Sequence, residues 1–170
     1  MTDKINGYES AVLLLGSNLG DRRLYIEQAI QSIGRTCGTI KRRSSIYKTG
    51  PWGNTEQPEY LNAAIVVTTL LTPAGLWARL SDIEQKAGRE RTQKWGPRTL
   101  DLDILYYGTD IIDTPSLTIP HPGIALRKFT LIPLCELLPD FAHPVLKKSH
   151  RELLMCCPDQ SGVESYEPHP

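Results

Sequence analysis

Five consecutive apolar residues, Ala11-Val-Leu-Leu-Leu15, end at Gly16. A run with no polar alternate has to be covered on both faces, so it predicts a buried central strand and therefore a sheet around it. Asp21 then reads as a helix N-cap, with Ile26, Ala29, Ile30 and Ile33 at helical spacing and Gly34 as the stop. Residues 39–48 read as a polar edge strand, and residues 60–71, rich in Ile, Val and Thr, as another strand. Thr72-Pro73 opens a second helix, whose apolar stripe is Leu76, Leu80, Ile83 and Ala87 and whose end is Gly88. Residues 99–107 alternate as a strand, 110–117 suggest a hairpin, and 124–137 a helical stretch. Strand-helix-strand-strand-helix-strand is the order of the split βαβ, or ferredoxin-like, α+β fold, an antiparallel sheet with helices on one face. The other face is then left for a site, covered by two long loops at 49–58 and 89–98.

A chain of 170 residues fits one domain, 1–170, with 1–9 as an extension and 158–170 as a loose, proline-containing tail. Lys plus Arg number 19, as do Asp plus Glu, and this zero balance argues against nucleic-acid binding over the whole surface. No window approaches the roughly 20 apolar residues of a membrane span. The N-terminus lacks the apolar core of a signal peptide, so a cytoplasmic protein is expected, here as a monomer. Cys37, Cys135, Cys156 and Cys157 have neither C-x-x-C nor zinc-like spacing; Cys37 and Cys135 read as buried small apolar residues, and the adjacent Cys156-Cys157 pair could be redox-sensitive but is more often unreactive.

The chemistry concentrates in Arg98-Thr-Leu-Asp101-Leu-Asp103. On a strand, residues two apart share a face, so both carboxylates point one way while Leu100, Leu102 and Ile104 point into the core. Adjacent carboxylates repel unless a cation stands between them. Magnesium often takes one or two carboxylates together with substrate phosphates. A bare D-x-D is more often a solvated pair. Here Arg89, Arg91, Lys94 and Arg98 lead into it, and arginine forks suit phosphate oxygens. A surface salt-bridge cluster is the alternative for that loop, and such clusters contribute little stability. Trp95 either packs in the core or covers a substrate. Tyr60 and Asn62 share a strand face, and a ring beside an amide suits a flat heterocycle. Gly16-Ser-Asn-Leu-Gly-Asp21 fits neither phosphate-loop pattern and reads as a turn and helix cap. His121, between two prolines and near Arg127, could donate to phosphate, although a lone histidine is more often packed or solvated.

Lys94-Trp-Gly-Pro-Arg-Thr-Leu-Asp-Leu-Asp-Ile-Leu105 resembles the signature of the 6-hydroxymethyl-7,8-dihydropterin pyrophosphokinases of folate biosynthesis. Supporting stretches are Leu15-Gly-Ser-Asn-Leu-Gly20, Tyr47-Lys-Thr-Gly-Pro-Trp-Gly53, Gln57-Pro-Glu-Tyr-Leu-Asn-Ala63 and Leu117-Thr-Ile-Pro-His-Pro122. The resemblance runs from about Ala11 to Asp140 and implies a ferredoxin-like fold. It implies transfer of a diphosphoryl group from ATP to the pterin hydroxymethyl group, with Asp101 and Asp103 as ligands of two magnesium ions. Arg89 and Arg98 would bind phosphate in the chemical step. Arg91, Trp95, His121 and Arg127 would hold or close over ATP, and Glu84, Ile104 and Thr118 would line the nucleotide. Tyr60 and Phe129 would sandwich the pterin, with Asn62 bonding its ring and Thr49, Gly50 and Trp52 contributing backbone contacts. Trp95 and Asp101 would also border the pterin. Ser81, Ser116 and Pro122 depart from the usual pattern, and the loop between Arg91 and Trp95 looks one residue short.

Two other readings share parts of this pattern. A different kinase or nucleotidyl transferase would share the metal strand but not the pterin pocket. A ferredoxin-like RNA-binding module would display aromatics within a basic face, whereas this strand displays two aspartates.

Overall fold

The computed structural model describes residues 9–50, 58–88 and 98–167. The central strand β1 spans Glu9–Ser17 and pairs antiparallel with β4 (Tyr60–Thr69) on one side and β5 (Asp101–Tyr107) on the other. Beyond β4 the edge is built from two short pieces, β2 (Thr39–Arg43) and β3 (Tyr47–Thr49), which pair with opposite ends of β4. The predicted single strand at 39–48 is thus broken, because a register shift at β2 and the stretch between the pieces interrupt its ladder. The core order β5-β1-β4-β2/β3 is that of the ferredoxin-like arrangement.

Helix α1 (Arg22–Thr36) begins on Asp21, whose carboxylate accepts from Leu24 N–H at 3.0 Å. It runs two residues past Gly34, the predicted stop. The turn is made at Gly38, with φ of +156°, where a Cβ would stand 2.1 Å from the Thr68 carbonyl oxygen. Helix α2 (Pro73–Lys86) begins on Thr72 as predicted and ends towards Gly88, at φ +81°. These two helices cover one sheet face through Ala11, Leu13, Leu15, Ile65 and Ile104 with Ile26, Ile33, Leu76 and Leu80.

The other face was expected to be free, and half of it is not. After the small hairpin β6 (Ile112–Asp113) and β7 (Thr118–Ile119) comes a 3₁₀ turn at Ile124–Leu126. Then follow α3 (Lys128–Leu137) and α4 (His150–Met155). Val12, Leu14, Ala64, Val66, Leu105 and Tyr106 pack there against Leu131, Leu134 and Leu153. These apolar side chains need a cover, and α3 and α4 supply it. The segment from Pro158, expected to be loose, forms β8 (Val163–Ser165), paired with β3 at the sheet edge. Among the described residues no helix covers the half of this face beyond Leu14 and Ala64.

β5 keeps both faces supplied through a bulge. Leu13 pairs with Ile104 but Val12 with Tyr106, so Leu105 is the extra residue. Before it, Asp101 and Asp103 alternate with Leu102 and Ile104. After it, Tyr106 joins the α3 side and Tyr107 the α1–α2 side.

Candidate active site

The uncovered half-face is organised by strand register. Asp101 lies opposite Gly16, Gly16 opposite Asn62, and Asn62 opposite Tyr47, so these four positions form one row across four strands. Asp103 and Leu14 occupy the next row, and Tyr60 pairs with Thr49 on the far side. Gly16 leaves the middle of the row without a side chain. A Cβ there would stand 3.0 Å from Asn62 Oδ1, so an open floor separates the carboxylates from the amide. With strands about 4.8 Å apart, Asp101 and Asn62 stand roughly 10 Å from one another.

At the carboxylate end, Arg98 Nη1 donates to Asp101 Oδ2 at 2.7 Å. Asp103 is pushed up to about 7, first by burial and then by Asp101 and Glu84. An ionised pair here is therefore unfavourable on its own, and a cation would relieve it. Two partly exposed carboxylates on one strand face suit magnesium, which fills its remaining positions with phosphate and water oxygens. His121 approaches, with Nε2 3.9 Å from Asp103 Oδ2. Its Nδ1 accepts from Gly123 N–H at 3.0 Å, so the proton of the neutral ring is on Nε2, facing the carboxylate. Burial, and then Arg127, push its pKa down, which keeps the ring neutral at pH 7.

At the other end, Asn62 is 3% exposed and donates through Nδ2 to Thr49 Oγ1 at 3.0 Å. That leaves its carbonyl oxygen facing the floor beside Gly16. Tyr60 is half-buried, and its phenol is pushed up chiefly by burial, so the ring is a neutral stacking surface. Phe129, in the first turn of α3, is half-buried against the α3-side cluster, and the Arg127 guanidinium carbon stands 5.8 Å from its ring centre.

The structure thus brings Arg98, Asp101, Asp103, His121, Asn62, Tyr60 and Thr49 to one half-face, with Arg127 and Phe129 at the start of α3. It does not bring every expected side chain there. Ile104 is 4% exposed and packs under α1 and α2, because alternation sends it to the opposite face from Asp103. Glu84 is also on the helix side. It accepts from Leu102 N–H at 2.7 Å on the outer edge of β5, and its charge reaches Asp103. Thr118 is exposed on β7, and Gly50 is exposed at the end of β3. Trp52, Arg89, Arg91 and Trp95 lie outside the described residues.

Asn18 is a site residue whose role the sequence reading did not give. Asn18, 1% exposed, accepts from Arg98 N–H through Oδ1 at 2.7 Å while its own N–H donates to the Arg98 carbonyl at 3.1 Å. Its Nδ2 donates to the Pro58 carbonyl at 3.4 Å, and Arg22 Nη1 donates to the Glu59 carbonyl at 2.6 Å. Asn18 therefore ties together the chain on the far side of both loops. A polar residue placed directly after an apolar central strand was the available signal; the turn reading absorbed it.

A profile of the family described as 7,8-dihydro-6-hydroxymethylpterin-pyrophosphokinase matches residues 12–139. The chain is 39% identical over 158 residues to the 2-amino-4-hydroxy-6-hydroxymethyldihydropteridine pyrophosphokinase of Methylorubrum extorquens, covering 92% of this chain and 98% of that one. It is 37% identical to the enzyme of the same name from Bacillus subtilis, covering 92% and 90%. With the Haemophilus influenzae enzyme of that name it shares 41% over 136 residues, covering 79% and 85%. Among solved structures, a Plasmodium falciparum HPPK-DHPS triple mutant superposes with a TM-score of 0.74 at 17% identity, over 91% of this chain and 44% of that chain. That likeness shows the fold, and this chain spans less than half of the larger one. The chain belongs to the 7,8-dihydro-6-hydroxymethylpterin-pyrophosphokinase family, and its reaction is the transfer of diphosphate from ATP to hydroxymethyldihydropterin in folate biosynthesis.

Proposed function

We propose that the open row from Asp101 across Gly16 to Asn62 is where the two substrates meet, ATP at the carboxylate end and the pterin at the amide end. The observation that carries this reading is the register that places a missing side chain between a carboxylate pair and a buried amide. Asn62 Oδ1 takes a ring N–H of the pterin, and Tyr60 and Phe129 supply the aromatic faces that enclose it. Thr49, bonded to the Asn62 amide, sets its orientation. Gly50 and Trp52 add backbone contacts.

Asp101 and Asp103 are the residues that would hold two magnesium ions beside the phosphates of ATP, and the metal would supply positive charge against the phosphoryl oxygens. Arg98, Arg127 and neutral His121 donate to the same oxygens. Arg89, Arg91 and Trp95 close over the nucleotide, with Thr118 bordering it; Glu84 and Ile104, on the helix side of β5, would act on it only through charge and through the strand backbone. The pterin hydroxyl oxygen bonds to the β-phosphorus while the bond between that phosphorus and the oxygen bridging it to the α-phosphorus breaks. AMP leaves with the bridging oxygen. Asp103 would accept the hydroxyl proton. Most of the rate comes from holding oxygen and phosphorus in line in a site closed to water.

Within this reading the enzyme is a cytoplasmic monomer that binds no nucleic acid, the last in keeping with its balanced charge. Among the described residues no helix is long and apolar enough to cross a membrane. Incubation with ATP, magnesium and hydroxymethyldihydropterin, with and without EDTA, tests the assignment. AMP should accumulate only with the metal, and Asp101→Ala should reduce turnover by about two orders of magnitude or more. Near-normal turnover in that variant, or activity unaffected by EDTA, would exclude the magnesium assignment.

A further inference from the structure

The segment after α4 lies beyond residues 12–139, which the family profile matches, yet it reaches the site from two directions. Arg127, the N-cap position of α3, makes no side-chain cap of its own. The first free N–H of the helix, that of Lys128, is taken by Asp159 Oδ2 at 2.9 Å, from 31 residues further along the chain. Asp159 is itself fixed, because its Oδ1 accepts from Ser161 N–H at 2.8 Å. A few residues on, β8 pairs with β3 so that Val163 lies opposite Thr49 and Glu164 opposite Lys48. Tyr166 N–H then donates to the Ile46 carbonyl at 2.8 Å, and its side chain packs on the α1–α2 core. One short segment thus joins the start of α3 to the outer strand of the sheet.

We propose that Asp159 and β8 form a positioning strap for the pterin half of the site. Asp159 fixes the first turn of α3, which presents Arg127 and Phe129, and β8 backs β3, which presents Thr49 to Asn62. This rests on the placement of the pterin between Tyr60 and Phe129. The physical reason is geometric. The gap in which a flat ring lies is set by how far Phe129 stands from the sheet. Phe129 sits in the helical turn whose leading N–H is held only from outside the helix. Asp159 touches no substrate and acts through the helix.

The test is a double-mutant cycle read by the pterin KM, with Asp159→Ala, Phe129→Ala and the double variant, and thermal unfolding recorded for each. Asp159→Ala should raise the pterin KM about tenfold in the otherwise native chain and less than about twofold in the Phe129→Ala background. A pterin KM within about twofold of native for Asp159→Ala, or the same factor in both backgrounds whatever happens to the unfolding midpoint, would overturn the strap. If Phe129→Ala itself leaves the pterin KM unchanged, the placement of the pterin is wrong and the strap falls with it, an outcome distinct from the first two.

Discussion

Asp103 faces Asp101 along its own strand, feels Glu84 through the sheet, and is half-buried, so its ionised form is disfavoured. The unfolded chain releases this proton near the ordinary value of 3.8, whereas the folded chain retains it to about 7. Between those values the native state binds more protons, so this group's contribution to stability falls as pH rises and its penalty is complete above about 7. Asp103→Asn should therefore raise the unfolding midpoint of the metal-free protein at pH about 8, with the gain fading towards pH 4, while turnover drops by roughly a hundredfold. Thermal unfolding in EDTA at the two pH values, beside a turnover assay, reads both. Gly16 is the second residue whose absence of substance matters. Gly16→Ala should displace Asn62 and raise the pterin KM about tenfold while leaving the ATP KM within about twofold, measurable in steady state. The common face of Asp101 and Asp103, and that of Tyr60 and Asn62, was legible in the sequence because strand alternation is a local rule. Asn18 and Gly16 were not, since their roles come from register with residues about 45 to 80 positions away.

At the scale of elements, α1 to β5 were readable from apolar spacing and caps, apart from the break in the 39–48 strand and the helix that passes Gly34. The elements after β5 were harder. α4 is six residues long, and what fixes it is tertiary: His150 is wholly buried, its Nδ1 2.6 Å from the Leu138 carbonyl and its Nε2 3.0 Å from Tyr106 Oη. Both nitrogens have partners that suit the neutral ring, Nδ1–H donating to the carbonyl and the phenol donating to Nε2. Burial holds the pKa of His150 below the ordinary 6.5, and His143 beside it is shifted the same way. As pH falls below about 6.5 the unfolded state takes up protons first, so stability declines down to the lower folded values. His150→Gln cannot titrate. Its urea midpoint should be lower at neutral pH, and its profile between pH 5 and 7 should be flatter, than in the native protein. A profile as steep as the native one would assign the acid sensitivity to other groups. β8 was missed for a related reason: a three-residue strand has no periodicity to detect, and its partner is more than a hundred residues away.

In the proposed arrangement the two substrates share one sheet, ATP at the β5 end and the pterin at β3, β4 and α3. Ligands that bind only the folded state raise its stability by mass action. ATP with magnesium at about 100 times its Kd should add roughly 2.7 kcal/mol, and EDTA should remove most of that increment if Asp101 and Asp103 engage the nucleotide through the metal. Thermal-shift titrations with ATP, with and without magnesium, measure it. The bulge at Leu105 has a further consequence. It divides β5 into two stretches of opposite phase, and each stretch is correct for the layer beneath it. The loops can change length at little cost, since each only has to span a gap. The stretch from Asp103 to Tyr106 behaves instead like a reading frame. Deleting Leu105 would remove one core side chain and, beyond that, turn either the carboxylates into the core or Tyr106 away from His150. The catalytic face and the α4 face are thereby two readings of one strand, kept compatible by a single inserted residue.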